Sequence, residues 1–140
     1  MKRLLRKSCW LLLLFPAIGC NDGMATVRGL VTYDREPIAG GPRMYGTVSF
    51  YRQDGGGAPA IGVIDASGHY ALKTGTQDLV EPGSYLVSIA VKKITVPDDP
   101  NAMPVPHLMT PAKYASVTQS GLTADVVPGA NSIDFALTSE

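Results

Sequence analysis

Residues 65–90 decide the fold: Asp65-Ala66-Ser67-Gly68-His69-Tyr70-Ala71-Leu72, a polar interval, then Glu81-Pro82-Gly83-Ser84-Tyr85-Leu86-Val87-Ser88-Ile89-Ala90. Each half is a turn followed by a run of period two. Asp65 to Gly68 supplies a tight turn, with Gly68 free to take positive φ. Beyond it Tyr70 and Leu72 point one way, His69 and Ala71 the other. Glu81-Pro82-Gly83 is a second turn, since Pro presets φ at the first corner and Gly accepts the second. Tyr85, Val87 and Ile89 then share one face, opposed by Ser84, Leu86 and Ser88. The spacing predicts two strands of one sandwich core.

Working outward, the same period recurs. Thr26–Tyr33 alternates, with Val27, Gly29, Val31 and Tyr33 on one side; Gly29 inside it marks a bulge or a close backbone approach. Tyr45–Arg52 places Val48 and Phe50 inward, Ser49 and Tyr51 outward. Ala60–Ile64 is a third run. Leu122–Val127 and Ser132–Leu137 read as a final hairpin across Pro128-Gly129-Ala130-Asn131, with Ile133, Phe135 and Leu137 inward. Between Lys92 and Ser120 five prolines forbid a sheet interior or a long helix. Thr110-Pro111-Ala112-Lys113-Tyr114 reads as one helical turn, Thr110 as N-cap and Pro111 at the first helical position. Seven short strands, Gly/Pro punctuation and no amphipathic helix give an all-β, antiparallel sandwich. About 115 residues bury roughly 65% of the unfolded chain's surface, enough for one core without staples.

The 140 residues hold one domain and a targeting segment. Lys2, Arg3, Arg6 and Lys7 form a positive n-region, and Cys9 to Ile18 is apolar. Ten such residues fall short of the roughly 20 that span a bilayer. The run ends at Ala17-Ile18-Gly19-Cys20, a small residue followed at once by Cys, as at a signal cleavage site. The expected division is 1–19 signal peptide, 20–25 modified Cys and tether, and 26–140 sandwich domain. Cys9 leaves with the signal, so Cys20 enters the mature chain without a disulfide partner. From Cys20 onward the chain carries eight basic and twelve acidic side chains, a net −4. An acidic domain without a basic cluster argues against nucleic acid and against electrostatic docking on anionic lipid.

Ala17 to Cys20 resembles the bacterial lipobox, which implies cleavage before Cys20, acylation of its sulfur and a durable membrane anchor facing the periplasm or the cell exterior. Buried acyl chains contribute about 0.8 kcal/mol per methylene. Val27-x-Gly29-x-Val31-x-Tyr33 with Pro37-Ile38, Asp65-x-x-Gly68-x-Tyr70-x-Leu72 and Pro82-Gly83-x-Tyr85-x-Val87 resemble the carboxypeptidase regulatory-like domains. That resemblance implies a seven-stranded Greek-key sandwich of the transthyretin/prealbumin type. Pro111-Ala112-Lys113-Tyr114, Ser120-Gly121-Leu122-Thr123 and Val126-x-Pro128-Gly129-x-Asn131 are similar to small exported lipoproteins of planctomycete bacteria, which implies a cell-envelope location.

No catalytic set emerges. His69 and His107 have no second His or Cys at ligand spacing, so neither metal nor cofactor is expected. Ser67, His69 and Asp65 contain the letters of a triad within one turn, where capping accounts for them. Gly55-Gly56-Gly57 lacks the Lys-Ser/Thr pair and helix of a phosphate loop. Asp98, Asp99 and Asn101 lack EF-hand spacing. The hydroxyisourate hydrolases of the same fold end in Tyr-Arg-Gly-Ser; this chain ends Leu137-Thr138-Ser139-Glu140. The reading is a non-catalytic envelope lipoprotein, lipidated at Cys20, that acts as a binding or structural module. Tyr45, Tyr51 and Tyr114 are its candidate contact surface, for an envelope protein or glycan. A small hydrolase or metal-dependent enzyme on the same scaffold is the alternative.

Overall fold

A computed structural model describes residues 23–140. The signal segment and Cys20 lie outside the described residues. The chain forms β1 (Ala25–Tyr33), β2 (Glu36–Pro37), β3 (Met44–Arg52), β4 (Ala60–Ile64), β5 (His69–Ala71), β6 (Lys73–Thr74), β7 (Gly83–Thr95) and β8 (Val105–Leu108). A single helical turn, α1 (Ala112–Ala115), follows, then β9 (Leu122–Val126), β10 (Gly129–Ser132) and β11 (Phe135–Leu137). The fold is all-β, with two sheets closed over one core.

The turns at 65–68 and 81–83 form where the residue types require them. Gly68 takes φ 89° and Gly83 φ 151°. Asp65 Oδ1 accepts from the Ser67 and His69 amides, which locks the first turn. Past these turns Tyr70, Leu72, Tyr85, Val87 and Ile89 are all at most 3% exposed. The period-two reading of 65–90 therefore describes the core faces as they are.

The larger sheet runs β6-β4-β3-β7, with β9 beside the first half of β7 and β8 beside its second half. The smaller sheet is built on β1, flanked by β5 and β2 and by β10 and β11. Aromatic rings bridge the layers: Phe50 lies 5.7 Å from Tyr85 and 6.0 Å, edge-on, from Phe135, which is 6.3 Å from Tyr70. Such pairs add roughly 0.5–1.5 kcal/mol each beyond their buried area. The Tyr70 and Tyr85 hydroxyls donate to the Ile133 and Glu81 carbonyls, both at 2.6 Å, so neither ring buries an unpaired polar atom. Burial pushes both phenols above the ordinary tyrosine range.

Three expectations are corrected. Leu122–Val127 and Ser132–Leu137 do not form a hairpin: β9 pairs with β7, whereas β10 and β11 pair with β1 in the other sheet. The corner between them is tied by Asn131, whose side chain accepts from Val127 N–H and donates to the Val127 and Gly129 carbonyls. The pairing of β1 with β10 and β11 is parallel, so the sandwich is not wholly antiparallel. Alternation reveals which face a strand buries, not which neighbour it chooses. Gly29 shows why this seam needs glycine, because a Cβ there would lie 1.7 Å from the Ile133 carbonyl oxygen. The close approach expected at Gly29 is therefore present.

The third correction concerns 92–120. The strand expected to end at Ala90 continues to Thr95, and Val105–Leu108 pairs with its extension. Pro106 is tolerated because β8 is an edge strand. Opposite it, Ile94 sends its N–H to Arg43 O on the far side, so this register position makes no ladder bond that Pro106 would lose. The helical turn begins at Ala112 with Pro111 as its N-cap, and no side chain caps it. Thr110 is instead buried, with its hydroxyl unpaired.

Candidate functional site

The best-defined surface is the outward face of the larger sheet. Its strands turn Val48, Phe50, Val87 and Ile89 into the core and so direct the intervening residues to the other face, where Ser88 alone of those between them is buried. Three successive cross-strand rows are Val63–Thr47–Ala90, Ile61–Ser49–Ser88 and Tyr51–Leu86–Thr123. None of these residues is charged; Lys73 on edge strand β6 extends the middle row beside Ile61 and is ion-paired with Asp78 at 3.1 Å. Tyr45 and Lys92 close one end, and Ser84, hydrogen-bonded to Asp125 at 2.7 Å, closes the other.

Tyr45 is 55% exposed and Tyr51 39%, and both stand on this face. Six residues apart on β3, they are about 20 Å from each other. Tyr114 does not join them. It is 6% exposed and plugs the core from α1, and its hydroxyl oxygen accepts from the Thr138 amide at 3.2 Å and lies 3.3 Å from the Thr138 hydroxyl. These hydrogen bonds, with Lys113 Nζ 5.0 Å from the ring centre, hold its phenol below the ordinary range. As the third residue of a one-turn helix it had only one way to face, and a lone Tyr carries no periodic signal that would reveal it. Sequence reasoning missed Ile61 and Val63, 45% and 67% exposed, beside the tyrosines. The signal was available: Ala60, Gly62 and Ile64 take the inward positions, which leaves two large aliphatics outside.

The turn at 65–69 carries its three letters in an order unlike that of a nucleophilic triad. Ser67 Oγ donates to Asp65 Oδ1 at 2.6 Å and lies 2.9 Å from His69 Nδ1. In a serine hydrolase the imidazole takes the serine proton and the carboxylate orients the imidazole. Here the carboxylate holds the serine directly, and these bonds keep Asp65 below the usual carboxylate range. A groove of about 500 Å³ passes beside this turn, between β4 and β5, with Arg28 and Lys73 on its walls. His107 lies on β8, exposed, opposite Lys93. Asp99 Oδ1 accepts from Asn101 N–H at 2.9 Å in an exposed turn. Among the described residues no group of three or more His, Cys, Asp or Glu side chains is placed to hold a metal ion.

The segment after β8 shapes a smaller apolar cleft of about 220 Å³, in which Met109 and Thr110 meet Tyr33, Ile38, Met44 and Val91. At the opposite end of β7, Arg52 forms the densest charge cluster. It contacts Asp54 and Glu81, each at 2.8 Å. The guanidinium draws Asp54 down to about 2.

No family model and no curated protein matches the chain. Among solved structures, a 9R-lipoxygenase from Cyanothece PCC8801 is similar at a TM-score of 0.36 and 12% identity, over 94% of this chain and 18% of that one. The chain thus spans less than a fifth of that protein's length.

Proposed function

We propose that this chain is a cell-envelope lipoprotein: a seven-stranded, Greek-key sandwich of the transthyretin type, held to a membrane by acyl chains on Cys20, that serves as a non-catalytic binding or structural module. The observation that carries the proposal is the Gly19-Cys20 junction behind a basic n-region and a ten-residue apolar run, just ahead of the first strand at Ala25. That distance gives the reading a geometry. Five residues reach at most about 18 Å, and Ala25 exchanges backbone hydrogen bonds with Val80 close to the start of β7. The anchored end is then the end where β7 begins. The strand runs 13 residues, about 40 Å, to the opposite end. The outward sheet face stands up from the membrane, open to the envelope space.

Growth of the source cells with an alkyne fatty acid tests the anchor. The wild-type protein takes up the label and partitions into detergent, whereas Cys20→Ala stays unlabelled and unprocessed. Equal labelling of both forms removes the lipoprotein reading.

A further inference from the structure

The outward face of the larger sheet differs from an ordinary solvated face in one respect. Across β4, β3, β7 and β9 its three middle rows hold aliphatic groups, hydroxyls and tyrosine, with no charge; Lys73, on edge strand β6 beside Ile61, is ion-paired with Asp78 at 3.1 Å. A one-sided antiparallel sheet normally turns a polar surface to water, yet the charged residues stand at the margins of this one, Lys92 and Asp125 at the two ends and Lys73 at the β6 edge. Thr47 and Ser49 at the centre are half-buried, Ser88 is 9% exposed, and the larger Ile61, Val63, Tyr45 and Tyr51 rise around them. The result is a level floor of hydroxyls with an aliphatic flank and an aromatic side chain towards each end of β3.

Size and charge select the occupant. Four strands about 4.8 Å apart and seven residues along β3 define a footprint of roughly 400 Å². A stable protein interface needs about 800 Å² from each partner. A second copy of this chain or another folded protein would find half of that, so the face suits a narrow, extended ligand. The absence of charge from the middle rows of β4, β3, β7 and β9 matches a ligand laid along β3 that has none. Serine and threonine hydroxyls each donate once and accept twice, which suits an occupant rich in hydroxyls, and Tyr and aliphatic surfaces suit one that also has C–H faces. We propose that this face binds a neutral, extended glycan, laid along β3 from Tyr51 to Tyr45 over Ser49 and Thr47. The inference rests on the module being displayed in the envelope, and it names the ligand class of that module.

The test uses the full-length protein in a detergent without sugar headgroups, immobilised and exposed to hydroxyethylcellulose, galactomannan and alginate at low and high salt. The expected result is binding to at least one neutral polysaccharide, unchanged by salt. Replacing both tyrosines, Tyr45→Ala with Tyr51→Ala, weakens it about tenfold, equivalent to ~1.4 kcal/mol. Thr47→Lys, which puts a charge and bulk on the floor, abolishes it, and Glu36→Ala on β2 of the other sheet leaves it intact. Circular dichroism melts confirm that each variant is folded. Binding to alginate alone, loss of binding at high salt, no binding to any of the three, or full binding by the double tyrosine variant overturns the proposal. Fatty-acid labelling at Cys20 is scored on the same preparations, so a labelled protein that ignores neutral glycans refutes the ligand class and leaves the anchor standing.

Discussion

Strand β7 is one continuous element with two different lives. From Gly83 to Val91 its inward side chains are covered, Tyr85, Val87, Ile89 and Val91 being at most 2% exposed, with β3 on one side from Tyr85 and β9 on the other as far as Val87. From Lys92 to Thr95 β8 stands where β9 stood and the cover is lost: Lys92, Lys93 and Thr95 are exposed, and so is every residue of β8. Backbone pairing continues without interruption across a boundary where side-chain burial stops. Pairing and burial are separate achievements, and burial supplies the larger share of stability.

Substitutions on the two halves test that division most forcefully. Ile89→Ala is expected to cost about 2–5 kcal/mol, the range for deleting a fully buried aliphatic side chain. Val105→Ala, against the outer half, is expected to stay within about 0.5 kcal/mol. Urea denaturation of the two variants beside wild type measures both, and a comparable loss at Val105 would show that the outer hairpin is part of the core. Native-state hydrogen exchange sharpens the picture: amides of the inner half should exchange only through global unfolding, those of Lys93 and Thr95 through local opening.

Two buried hydroxyls give a second, smaller contrast along the same strand. Ser120 Oγ donates to the Val87 carbonyl and accepts from Leu122 N–H, so it ties β9 to the inner half of β7. Thr110, which shares a cleft with Val91 where the outer half begins, has a hydroxyl with no partner. Ser120→Ala leaves two backbone groups unpaired and should cost about 1–3 kcal/mol. Thr110→Val keeps the shape and removes an unsatisfied donor, so it should be neutral or stabilising by up to about 1 kcal/mol. Thermal melts of the pair decide the matter. A destabilised Thr110→Val would mean that the hydroxyl is satisfied by water in solution.

The same boundary explains what the sequence discloses. Alternation is a signature of burial, so it marks Tyr70/Leu72 and Tyr85/Val87/Ile89 as core and stops after Val91, where cover stops, although the strand does not. Edge strand β8 has no alternation to read and contains a proline, yet only its pairing with β7 is needed to form it. Choice of sheet is also hidden. Leu122–Val126 and Phe135–Leu137 have the right inward residues, but a four-residue interval rich in turn formers suits a hairpin and a corner equally well. The side-chain ties of Asn131 decide between them, and these depend on neighbours far away in the chain. In the candidate site, Tyr45 and Tyr51 are legible because they share parity with Ser49 on a strong strand. Tyr114 is not, because its direction is set by a single helical turn whose docking the local sequence does not encode.

The smallest expected effect lies at the end of the sandwich where β7 begins. Arg52, opposite Tyr85 in the ladder, spans Asp54 and Glu81 with both arms of its guanidinium. Asp54 owes its depressed value of about 2 first to that guanidinium and then to the Gly56 amide. A carboxylate whose folded value lies below its ordinary 3.8 contributes stability above that ordinary value and loses it as pH falls towards about 2. NMR titration of the Asp54 carboxyl should therefore show a midpoint near 2, and in Arg52→Ala it should rise towards 3.8 without reaching it, since the Gly56 amide remains. Both carboxylates are well exposed, so water screens the pair and the melting temperature at neutral pH should scarcely move. A large loss of stability in Arg52→Ala would instead mean that this cluster helps to close the sandwich, and the inner half of β7 would owe its strength to its rim as well as to its core.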